Sequence, residues 1–102
     1  MSYDMSIGAE DFNYTYNGCE VFYDAVEKLF KLDTGIRFIY GLRGADVEHR
    51  LIDVLGWMLK NRELCESYQP SNGWGSFDDQ CKFVMKLIKA SHYNPCEIWE
   101  GD

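Results

Sequence analysis

The stretch SYDMSIGAEDFNYTY, residues 2–16, decides the fold class of this 102-residue chain. Tyr3, Met5 and Ile7 share one face of the first run, Phe12, Tyr14 and Tyr16 share one face of the second, and Gly8-Ala9-Glu10-Asp11 separates them. Alternation of period two around a glycine-containing turn, in β-favouring aromatic and branched residues, predicts a hairpin. A lone hairpin is only marginally stable in water, so its apolar face must pack on other elements.

Those elements are helices, because the period of the apolar residues changes after Asn17. Val21, Phe22, Ala25, Val26, Leu29 and Phe30 recur at helical spacing, with Asp24, Glu27, Lys28 and Lys31 on the other side. Asn17 as N-cap and Glu20 three residues later form a capping-box-like start, predicting a helix near residues 18–32. A second helix, near 45–61, takes Val47, Leu51, Ile52, Leu55, Met58 and Leu59 as its buried stripe. Gly56 within it lowers helicity by about 1 kcal/mol relative to Ala and reads as room for a neighbouring element. A third, near 77–91, starts at Ser76 and buries Phe77, Cys81, Val84, Leu87, Ile88 and Ser91. The expected fold is therefore a single α+β domain over residues 1–102, mainly helical, with an N-terminal β-hairpin packed on three principal helices.

Three segments are less determined. Ile36-Arg37-Phe38-Ile39-Tyr40 is five residues long and fits a helical turn or a strand equally. Residues 61–75 carry Pro70, Asn72, Gly73 and Gly75 and read as largely loop. Trp74, between two glycines, reads as an anchor that pins this loop before the third helix, with a ligand-facing role as the alternative. The tail Cys96-Glu97-Ile98-Trp99 is either a short strand or a docked segment that places Ile98 and Trp99 on the core.

Composition bounds the function. A net charge of −7, with residues 1–33 at −5, disfavours direct nucleic-acid binding, which needs clustered Lys and Arg, and favours a partner with a basic surface. No apolar run approaches the ~20 residues of a membrane span, and the start of the chain lacks the pattern of a secretory signal, so a cytoplasmic protein without membrane contact is expected. Cys19, Cys65, Cys81 and Cys96 make no C-x-x-C pair, and His49 and His92 have no second ligand at helical spacing. Free thiols, no metal and no cofactor are expected.

No phosphate loop, nucleophile elbow, dinucleotide fingerprint or H-E-x-x-H motif occurs, and an enzyme is not expected. The adjacent acids Asp78 and Asp79 sit where the dipole of a helix start favours negative charge. Two binding readings remain. Glu20, Asp24 and Glu27, on or beside the solvent side of the first helix, are candidate contacts to a basic protein surface. Alternatively, Tyr14, Tyr16, Arg37, Tyr40 and Trp74 supply the guanidinium and stacking faces that an anionic planar ligand needs.

Ser2-Tyr3-Asp4, Asn13-Tyr14-Thr15-Tyr16-Asn17, Gly35-Ile36-Arg37-x-Ile39-Tyr40-Gly41, Asn72-Gly73-Trp74-Gly75 and Trp99-Glu100-Gly101-Asp102, taken in order, resemble a family of small bacteriophage and prophage proteins. The resemblance spans nearly the whole chain, with Arg43-Gly44 standing where the family often has Thr-Gly. It implies a lineage rather than a chemistry. By analogy with small acidic phage proteins that block host defences, such as anti-CRISPR proteins, it implies a stoichiometric inhibitor of a bacterial defence protein. The alternative it implies is a protein that sequesters a defence signalling nucleotide. Homo-oligomerisation is left open.

Overall fold

The computed structural model describes residues 2–15, 19–68 and 76–101. Strands β1 (Ser2–Ile7) and β2 (Glu10–Thr15) form the expected hairpin, followed by helix α1 (Cys19–Phe30), a 3-10 helix (Gly35–Ile39), α2 (Gly44–Lys60), α3 (Arg62–Ser67), α4 (Phe77–Tyr93) and β3 (Glu100–Gly101). The fold is α+β and mainly helical. The sheet is antiparallel in the order β2-β1-β3, with Met5 opposite Phe12 and Gly101.

The two-residue hairpin loop, Gly8-Ala9, has positive φ only at Gly8, as a II′ turn requires. The loop sits beside Asn94, which ends α4, and a Cβ on Gly8 would lie 2.7 Å from Asn94 Oδ1. The Asn94 side-chain amide also donates to Glu10 Oε2 at 2.7 Å and to the Ala90 carbonyl at 2.9 Å, tying the hairpin to the helix end.

Helices α2 and α4 are antiparallel neighbours. Gly44 at the start of α2 meets Ser91 and Asn94 at the end of α4, and Arg62, just beyond α2, reaches Phe77 and Asp78 at the start of α4. Among the described residues no side chain caps α2. Its first N–H groups are satisfied by backbone instead, Gly44 donating to the Glu97 carbonyl at 2.9 Å and Ala45 to that of Pro95 at 3.0 Å. This accounts for a start at Arg43-Gly44 without a hydroxyl residue. At α4 the Ser76 hydroxyl accepts from the Asp79 N–H at 3.2 Å, the cap the sequence predicts.

Tyr3, Met5 and Ile7 of β1 are buried with Val21, Phe22, Ala25 and Val26 of α1, Val47, Leu51, Val54 and Met58 of α2, and Val84 and Leu87 of α4. Several expectations are corrected and two open readings are decided. In the segment read as largely loop, Arg62–Ser67 forms α3 and buries Cys65. The run 36–40 resolves as a 3-10 helix through residue 39. On α2 the covered edge of the stripe is Val54, while Ile52 and Leu59 are 48% and 54% exposed. Gly56 makes no room for a neighbour among the described residues, since a Cβ there would meet none of them within 4 Å. In the tail, Trp99 docks fully while Ile98 stays exposed and bridges to Arg43. Asn17, Tyr16 and Trp74 lie outside the described residues.

Candidate functional site on the open face of the sheet

The register that buries Tyr3, Met5 and Ile7 turns Asp4 and Ser6 to the opposite face of β1. Ser6 pairs with Asp11 of β2 on one side and Glu100 of β3 on the other, while Asp4 pairs with Asn13. Two polar rows therefore run across the strands, Asp11-Ser6-Glu100 and Asp4-Asn13. Between them lies the backbone of Phe12, Met5 and Gly101, whose own direction is toward the core face. The result is an open trough of about 550 Å³ lined by these eight residues. Asn13 steadies one wall, its amide donating to Asp4 Oδ1 at 2.6 Å and to the Tyr3 carbonyl at 3.3 Å.

A smaller hollow of about 380 Å³ adjoins it, sharing Ser6 and Glu100 and adding Gly8, Cys96, Glu97 and Ile98. Among the described residues the two hollows together are lined by four carboxylates, Asp4, Asp11, Glu97 and Glu100, and by no Lys, Arg or His. Among the described residues no three metal-ligating side chains converge. The carboxylates are spread along a surface, an arrangement suited to several cations carried on a partner rather than to one ion.

The residues singled out by sequence fall elsewhere. Glu20 and Glu27 are exposed on α1, with Glu27 Oε2 4.0 Å from Lys28 Nζ. Asp24 is half-buried and accepts a hydrogen bond from the Tyr68 hydroxyl at 2.6 Å, which makes it a link between α1 and the end of α3. That bond is the leading cause that raises the Tyr68 phenol above its ordinary pKa. Of the proposed ligand set, Tyr14 stacks on Phe83 at 4.3 Å and meets Phe22 edge-on at 5.8 Å. Arg37 lies 4.6 Å over the Tyr3 ring, and Tyr3 is the register partner of Tyr14, so these three are neighbours. Tyr40 lies against Gly101, where its ring occupies the space a Cβ would need. Tyr16 and Trp74 lie outside the described residues.

The signal that sequence reading missed was the outward half of its own hairpin. Asp4, Asp11 and Asn13 occupy the positions between the apolar residues, and Glu100 joins them only through β3. His49 is exposed, and His92 Nδ1 lies 3.0 Å from Glu48 Oε2 across the α2–α4 pair. No helix of the described residues is long and apolar enough to cross a membrane. Comparison with known protein families, characterised proteins and solved structures gave no match.

Proposed function

We propose that this protein is an accessory binder that occupies a basic surface of a bacterial host defence protein in a fixed stoichiometry, as an inhibitor of the anti-CRISPR kind. The observation that supports the reading is the row Asp11-Ser6-Glu100 on the uncovered sheet face, continued by Glu97 and flanked by Asp4. The three-stranded scaffold holds the backbone of Asp11, Ser6 and Glu100 in register, so little backbone entropy is lost when a complementary surface arrives. The exposed Glu20 and Glu27 on α1 add to the long-range attraction that speeds encounter with a cationic partner. The bacteriophage resemblance supplies the host setting.

The test is capture from a bacterial lysate on the immobilised protein, followed by titration of the captured partner against charge-reversed forms. Asp11→Lys with Glu100→Lys should weaken binding by about tenfold or more, and rising salt should slow association with the unaltered protein. A partner that binds the doubly reversed form as tightly as the original overturns the reading. A nucleotide released on heat denaturation, with no protein captured, would transfer the function to the Tyr14, Arg37 and Tyr40 neighbourhood.

A further inference from the structure

The outer side of α2 combines features that nothing among the described residues explains. Ile52 and Leu59, seven residues and two helical turns apart, are about half exposed. Gly56 lies between them on the same side, four residues after one and three before the other, and the place of its missing Cβ is open space. A glycine in the middle of a 17-residue helix weakens it relative to alanine, and here no close approach by the described residues offsets that cost. Asp53 and Lys60, also exposed and also seven apart, border Gly56 on the side away from Ile52 and Leu59.

We propose that this face of α2 is a contact with a second copy of the chain, in which the two α2 helices cross antiparallel at Gly56. The charge pattern selects this occupant. Reversing the direction of one helix about Gly56 sets Asp53 near Lys60 of the other copy, and the two-fold axis repeats the pair on the far side. The same operation brings Ile52 of each copy beside Leu59 of the other, burying all four apolar side chains. With no Cβ at the crossing point, the axes can close to the short end of the ~8–10 Å range of packed helices. A parallel arrangement would instead set Asp53 and Lys60 beside Ile52 and Leu59 of the other copy, leaving the charges unpaired against apolar side chains. The proposed sheet-face function is independent of this contact.

Sedimentation velocity over a range of concentrations, in the presence of reductant so that the exposed Cys96 cannot cross-link copies, tests the proposal. The unaltered chain should show a reversible monomer–dimer equilibrium. Gly56→Gln enters open space, favours helix and should fold normally by circular dichroism, yet should be monomeric. Asp53→Lys alone and Lys60→Asp alone should each weaken the dimer by about tenfold, and the two together should restore it. A chain that remains monomeric at about 1 mM overturns the proposal, since a specific contact of even millimolar affinity would be half-formed there. So does a dimer that survives Gly56→Gln, or one that both charge changes weaken without mutual rescue.

Discussion

The indole N–H of Trp99 donates to the Ser91 hydroxyl at 3.0 Å, and neither residue is exposed to solvent. Ser91 in turn donates to the Leu87 carbonyl one helical turn back, at 2.8 Å. Backbone bonds on either side of the indole, Gly41 N–H to the Trp99 carbonyl and Trp99 N–H to the Leu42 carbonyl, hold the tail against the connection into α2. Phe12 of β2 covers the ring at 5.8 Å. One side chain thus joins sheet, tail, α2 entry and α4.

Trp99→Ala should lower unfolding free energy by about 3–5 kcal/mol, the range for deleting a large buried aromatic. Ser91→Ala should cost about 1–3 kcal/mol, because it leaves a buried indole N–H without its acceptor. Urea denaturation of each variant checks both values. An unchanged midpoint for Trp99→Ala would mean that the tail contributes nothing to the fold.

Elements whose cause is local were legible in sequence. The period-two run of Tyr3, Met5 and Ile7 and the 3.6-period run of Val21 to Val26 each carry their own signal, and Ser76 announces α4. Elements whose cause is remote were not. Glu100-Gly101 becomes a strand only because β1, at the other end of the chain, offers it an edge, and the tail docks because Ser91 and Leu42 are waiting. The segment Arg62–Ser67 has only Leu64 and Cys65 as apolar residues, too few to show a period. On α2, periodicity marked a broad apolar side from Val47 to Leu59, but which edge of it is covered depends on where α1 and α4 lie. For the candidate site, net acidity was readable while its location was not, because Glu100 reaches the Asp11 row only through that same remote pairing.

Two glycines on the same helix should respond oppositely to alanine. A Cβ on Gly44 would collide with the Asn94 carbonyl oxygen and stand 2.6 Å from that of Ser91, both backbone atoms that cannot rotate away. Gly44→Ala should therefore force α2 from α4 and cost about 1–3 kcal/mol. Gly56→Ala meets open space and should gain about 0.5–1 kcal/mol of helix stability, measured at a concentration dilute enough to keep the chain monomeric. Thermal melts of the pair, shifted to opposite sides of the unaltered protein, are the expected result.

Burial pushes the Cys65 thiol from 9.0 up to about 11, and the Cys81 thiol rises for the same leading reason. The folded state therefore holds these protons more tightly than the unfolded chain does. The contribution is fully present below about pH 9, where both states are protonated, and is lost as pH rises from there through about 11. The stability difference between the unaltered protein and Cys65→Ala should accordingly narrow between pH 8 and pH 11, as read by urea midpoints. At neutral pH a thiol reagent should modify exposed Cys96 first and the buried pair only after unfolding. Four equivalents consumed by the unreduced, denatured chain would extend free-thiol status to Cys19 as well.

The three acids on α1 should separate into two kinds. Glu20 and Glu27 are exposed, and reversing them to Lys should leave the melting temperature within error of the original while slowing association with a basic partner, an effect that salt diminishes. Asp24 is different because its carboxylate receives the Tyr68 hydroxyl at 2.6 Å, linking α1 to the residue that follows α3. Asp24→Lys removes the acceptor and should lower the melting temperature; Tyr68→Phe should lower it too, and the double variant should lose less than the sum of the two. The Tyr68 phenol, freed of its bond, should also titrate at lower pH in Asp24→Asn, a change visible in tyrosine ultraviolet absorbance. If Asp24→Lys melts like the original and impairs partner binding as Glu20→Lys does, Asp24 belongs to the binding surface after all, and the Tyr68 bond carries no structural load.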